Sequence, residues 1–79
     1  MINHRPIWAI NLKTARKQKK LTQQEVADKI FKSQESYSKY EAGEIEPDMA
    51  TWYLILEVFE ITDMSRFLYQ DYHSETKAA

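Results

Sequence analysis

The sequence has no cysteine. No disulfide framework can staple the chain and no thiolate can hold a metal, which fits a reducing compartment. Nowhere do about 18 apolar residues run together, which excludes a membrane-spanning helix. The N-terminus lacks the basic-then-apolar layout of a secretory signal. A soluble, cytoplasmic protein is expected. Breakers are scarce too: one glycine, Gly43, and two prolines, Pro6 and Pro47. So few argue against an extended β architecture. What is plentiful is Ala, Leu, Glu, Lys and Gln, side chains that lose little on entering a helix. At 79 residues the chain suits one small all-α domain, with a modest core and little room for a deep substrate pocket.

The net charge of −1 hides an uneven distribution. Residues 1–43 carry nine Lys and Arg against four acids, for +5; residues 44–79 carry two bases against eight acids, for −6. A basic half beside an acidic half suits one face for a polyanion and another for something else. On charge alone, an unevenly charged solvated surface is the better explanation of the pattern.

Five helices are legible. Pro6 suits the start of the first, residues 7–19, because its missing N–H costs nothing there. Trp8, Leu12 and Ala15 make its inward stripe, and lysines crowd its last turn, where the helix dipole favours cations. Thr22-Gln23-Gln24-Glu25 is a capping box that opens a short second helix ending near Ile30, with Val26, Ala27 and Ile30 facing inward. Ser33 caps a third helix over 34–42, and Gly43 stands where a left-handed residue closes it. At 100° per residue, Gln34, Glu35, Ser38, Lys39 and Ala42 share an arc of roughly 140°, while Tyr37 and Tyr40 point the other way. Asp48 caps a fourth helix over 49–59, and Thr62 a fifth over about 63–69. Residues 74–79 are expected to fray, which leaves one domain over 1–73.

Two short helices joined by Phe31-Lys32-Ser33 form a helix-turn-helix, with the motif over about 22–42. In such a pair the second helix enters the major groove and turns its N-terminal side chains to base edges. The chain resembles the phage-repressor and Cro type of helix-turn-helix regulators, the XRE family. The resemblance rests on Leu12, Arg16, Leu21-Thr22-Gln23, Glu25-Val26-Ala27, Ile30, Ser33, Ser36-Tyr37-Ser38-Lys39-Tyr40-Glu41, Gly43 and Pro47. It continues through Met49, Trp52, Phe59 and Ile61-Thr62, and covers about residues 8–68.

The resemblance implies a compact five-helix, λ-repressor-like fold whose third helix reads double-stranded DNA. It implies phosphate binding by Gln23 and the amides beside it, base contacts from Gln34, Glu35 and Lys39 with Ser38 nearby, and a structural pair between Arg16 and Glu41. The side-chain chemistry agrees. Gln34 can bond adenine N6 and N7, Lys39 can donate to guanine, and Glu35 can accept from cytosine N4. Thr22, Lys19 and Lys32 stand near enough to meet phosphates. Two positions depart from the family pattern: Phe31 and Glu60 stand where glycines are expected. If φ is positive at Phe31, the backbone costs on the order of 1 kcal/mol or more.

Catalysis is not expected. His4 and His73 are far apart and in no metal-ligand spacing, and Ser33, Ser36 and Ser38 serve as caps or DNA contacts. No paired base, phosphate loop or carboxylate pair marks an enzyme, and neither metal, cofactor nor small-molecule substrate is expected. The fourth helix is apolar nearly all round, more than a small core needs. With Ile61, Met64, Phe67 and Leu68 downstream it suggests a homodimer interface, and a two-fold dimer implies a palindromic operator. With no separate effector domain expected, regulation, as repressor or otherwise, would come from concentration, operator layout or a protein partner. The competing reading is a protein-interaction module, such as an antitoxin whose main partner is a toxin, motivated by the acidic, aromatic half over 45–72.

Overall fold

The computed structural model describes residues 5–72. Five helices follow one another: α1 (Ile7–Gln18), α2 (Gln23–Lys29), α3 (Gln34–Ala42), α4 (Met49–Phe59) and α5 (Met64–Tyr69). No strand occurs among the described residues, and none of their helices is long and apolar enough to cross a membrane. His4, His73 and the expected frayed tail at 74–79 lie outside the described residues.

Side-chain caps start four of the helices. Thr22 accepts from the Glu25 amide while Glu25 reaches back to the Thr22 amide. Ser33, Asp48 and Asp63 each accept from the amide three residues on. The cap of α5 is thus Asp63, one residue beyond the expected Thr62. Each such cap satisfies an amide that the helix leaves without an internal partner.

The first four helices end alike. A residue with positive φ follows, at Lys20 (59°), Phe31 (61°), Gly43 (78°) and Glu60 (59°). The next amide then reaches five residues back, from Leu21 to Arg16, Lys32 to Ala27, Glu44 to Lys39 and Ile61 to Leu56, at 2.9–3.1 Å. This closure satisfies the last carbonyls of each helix. Three of the four positions carry a Cβ, each at a cost of about 1–2 kcal/mol. Gly43 has a second reason to be glycine: a Cβ there would stand 2.7 Å from Cδ of Pro6.

The core joins all five helices. Leu12 and Ala15 of α1, Val26, Ala27 and Ile30, Tyr37 and Tyr40 of α3, Trp52, Ile55, Leu56 and Phe59 of α4, and Phe67 of α5 are buried together. Edge-on ring contacts run from Trp8 to Trp52, Phe67 and Tyr72, with centroids 5.2–6.1 Å apart. Phe67 is therefore a core residue, fully buried. That corrects its expected place in a dimer interface: α5 is six residues long and buries Phe67 alone, so that its apolar ring leaves water.

One buried polar residue fastens α5. Asn11, fully buried, donates to the carbonyls of Phe67 and Gln70 at 2.7 Å each and accepts from the Tyr72 amide at 3.0 Å. Its amide supplies the partners that the end of α5 would otherwise seek in water.

Candidate nucleic-acid interface

The two halves of the motif hold each other by packing. Val26, Ala27 and Ile30 bury the inner face of α2, and Tyr37 and Tyr40 bury that of α3. The two tyrosine rings meet edge-on, 6.1 Å apart. With its inner face fixed, α3 leaves Gln34 and Glu35 exposed and Ser38 and Lys39 half-buried beside them. Ser33 caps the helix just before this group, so the arc begins at the first helical residue.

Behind this surface a buried carboxylate, Glu41, pairs with the half-buried Arg16. Arg16 Nε stands 2.6 Å from Glu41 Oε2, and Nη2 donates to Oε1 at 3.1 Å, a two-pronged contact. The remaining prong donates to the Leu21 carbonyl at 3.0 Å, so one guanidinium ties α1 to α3 and to the loop before α2. Burial pushes the Glu41 carboxyl up, but Arg16, the neighbouring Tyr37 hydroxyl and the Gln23 amide more than offset that and hold it below its ordinary 4.5. The hydrogen bonds that Arg16 donates to Glu41 raise the guanidinium in turn. Tyr37 is held protonated, chiefly by burial and then by the carboxylate it faces. Its hydroxyl turns toward the pair without a hydrogen bond of good geometry.

The pair is linked to the surface through two glutamines. Gln23 Nε2 donates to Glu41 Oε1 at 3.0 Å, and Gln23 Oε1 accepts from Gln34 Nε2 at 2.8 Å. A continuous chain thus runs from Arg16 through Glu41 and Gln23 to Gln34. Both glutamines were legible as single candidates; their coupling was not, because it spans 11 residues and needs α2 and α3 placed against each other. The chain also settles what each amide has left to offer. Gln34 retains one N–H and its carbonyl oxygen, the two groups that a bidentate contact with adenine requires. Gln23 retains one N–H, enough for a phosphate oxygen. The Thr22 hydroxyl accepts the capping bond and keeps its proton to donate.

The expected phosphate-binding lysines divide. Lys19 is drawn aside: its Nζ lies 2.8 Å from Glu60 Oε1, an exposed pair that ties the end of α1 to the end of α4. The same lysine lowers the Glu60 carboxyl. Lys32 is half-buried and near enough to Asp48 to help hold that carboxyl low, after the larger effect of the hydrogen bonds from Thr51. Lys39 stands 4.0 Å from Glu35, one turn away on the same face. Its charge is partly engaged by Glu35.

The remaining expected dimer residues, Ile61, Met64 and Leu68, are half-buried against the core. The most exposed large apolar side chains lie elsewhere: Phe31 in the turn (82%), Tyr69 (74%), and Tyr53 (62%) and Met49 (55%), one turn apart on α4. Among the described residues, no group of three or more His, Cys, Asp or Glu could hold a metal ion.

The sequence pattern of the helix-turn-helix family matches residues 12–65. The chain is also similar to the uncharacterized HTH-type transcriptional regulator YqaE of Bacillus subtilis (strain 168), with 47% identity over 59 residues. The match takes in 75% of this chain and 48% of the relative, so the chain spans about half the relative's length.

Proposed function

This chain belongs to the helix-turn-helix family, of the XRE type, and from that premise we propose that it binds duplex DNA sequence-specifically and regulates transcription. It acts in the cytoplasm as a homodimeric repressor on a palindromic operator, through one domain over about residues 1–73. Its role is recognition rather than catalysis. The observation that carries this reading is the chain of contacts from Arg16 to Gln34. It holds the first side chain of α3 in one orientation while the rest of the polar arc stays open. A preset amide edge gives up less side-chain freedom on meeting a base than a free glutamine would.

In this arrangement α3 lies in the major groove. Gln34 pairs with an adenine, Lys39 donates to a guanine, and Glu35 accepts from a cytosine N4, with Ser38 beside them. Gln23, Thr22, Lys32 and, once released from Glu60, Lys19 meet the phosphates and set the register. Glu35 repels phosphate, so it narrows sequence choice rather than adding affinity.

Selection of duplexes from a random pool at two salt concentrations tests the reading. An inverted repeat with half-sites about one helical turn apart is expected, with binding that weakens as salt rises. In the same assay Gln34→Ala should relax one base position per half-site, at a cost of about 1–3 kcal/mol. No enrichment at low salt would defeat the DNA reading. It would favour the second one, an antitoxin-like module whose main partner is a protein. That reading draws on Met49 and Tyr53, both exposed in the acidic half of the chain.

A further inference from the structure

The turn between α2 and α3 breaks two local rules at one residue. Phe31 has φ 61°, where a Cβ is unfavourable and glycine is not. Its ring is also 82% exposed and takes no part in the core. The closing bonds of the turn are backbone bonds, from the Phe31 amide to Asp28 and from the Lys32 amide to Ala27, and glycine would make both. Among the described residues, no core contact or hydrogen bond of the side chain offsets the strained backbone or gains from the ring. A local rule broken without internal compensation marks a functional position.

The position says what the ring can meet. Phe31 is two residues before the Ser33 cap and three before Gln34. Three residues of chain span at most about 11 Å, close to the roughly 12 Å width of the major groove. With Gln34 at the base edges, Phe31 lies within reach of the groove wall, where the apolar surface on offer is the deoxyribose. Lys32 beside it meets the adjoining phosphate.

We propose that Phe31 is a DNA-contact residue whose ring packs on the deoxyribose wall of the major groove beside the α3 reading site. The proposal rests on the DNA reading above. It departs from the family's base and phosphate contacts in being apolar, insensitive to salt and indifferent to base sequence. The left-handed backbone is the means: it lifts the side chain out of the α2–α3 packing and into solvent.

The test compares the full chain with Phe31→Gly, Phe31→Ala and Phe31→Leu, on a duplex selected by the unmodified protein and on a random-sequence duplex of equal length. Phe31→Gly should raise Tm by about 4–8 °C, as relief of the backbone strain predicts for a domain of this size. It should nonetheless bind both duplexes about five- to tenfold more weakly, the loss expected when a partly buried ring is removed. Phe31→Ala should bind as weakly with little change in Tm, and Phe31→Leu should recover most of the affinity. The salt dependence should be the same in all four proteins.

Phe31→Gly binding as tightly as the unmodified protein would overturn the proposal while leaving the DNA reading intact. A loss confined to the selected duplex would also overturn it, by placing the ring on a base instead. Failure of the unmodified protein to bind any duplex would defeat the DNA reading itself, and this proposal with it.

Discussion

At the scale of single residues, Glu41 does two jobs that pull the same way. It closes the ion pair with Arg16 and it holds Gln23, which in turn holds Gln34. Its folded-state carboxyl is held below the ordinary 4.5. A depressed folded value means that the ionised form adds stability above the unfolded value, and that this is lost as pH falls through the folded one. The protein should therefore lose stability in acid, beginning just below the ordinary carboxylate range. Glu41→Gln removes that dependence. It should cost about 1–3 kcal/mol at pH 7, since the half-buried Arg16 loses its charged partner, and it should flatten the acid limb. Urea midpoints between pH 7 and pH 3 check this. An acid limb as steep in the variant as in the unmodified protein would assign the loss to other carboxylates.

At the scale of elements, what was legible in the sequence was whatever is local. Thr22, Ser33, Asp48 and Gly43 announce helix ends because a cap and its amide lie three or four residues apart; α3 and α4 fall where those signals place them. Phe31 and Glu60 stood out as non-glycine residues at glycine positions, and both do have positive φ. What was hidden is non-local or too short. Lys20, the third such position, carried no signal because lysine suits a helix end for its charge alone. The facing of α5 could not be read from six residues, less than two turns, so Phe67 and Leu68 were indistinguishable. Asn11 looked like an ordinary polar helix residue, yet its partners lie 56 to 61 residues away. Asn11→Ala should remove the side-chain partner of two carbonyls and one amide and cost roughly 2–3 kcal/mol. Hydrogen exchange should then rise first in α5 and at Tyr72. A loss below about 0.5 kcal/mol in urea titration would show that water replaces the side chain freely.

At the scale of the whole molecule, charge and size both bear on pairing. The +5 half contains α3, and the −6 half contains α4 and α5. A duplex therefore attracts one half and repels the other, which orients the protein as it approaches. The described residues measure 36 × 33 × 23 Å. The homodimer proposed above would set two such units about a two-fold axis, with their α3 helices roughly 34 Å apart, one turn of the duplex. Such a pairing needs an apolar face in the acidic half, and Ile61, Met64 and Leu68 offer one, half-buried rather than consumed by the core. Phe67 cannot serve as a probe of that face, because a charge at a fully buried position would unfold the chain before it could report on pairing. Ile61→Asp and Leu68→Asp are the informative variants. On the proposed homodimer, each should sediment as a monomer under conditions that leave the unmodified protein paired. Each should also bind a single half-site as before while losing the extra affinity for an inverted repeat. A variant that still sediments as a dimer would move the interface to the exposed side of α4, where Met49 and Tyr53 lie one turn apart, and the same experiment on Tyr53→Asp would then locate it.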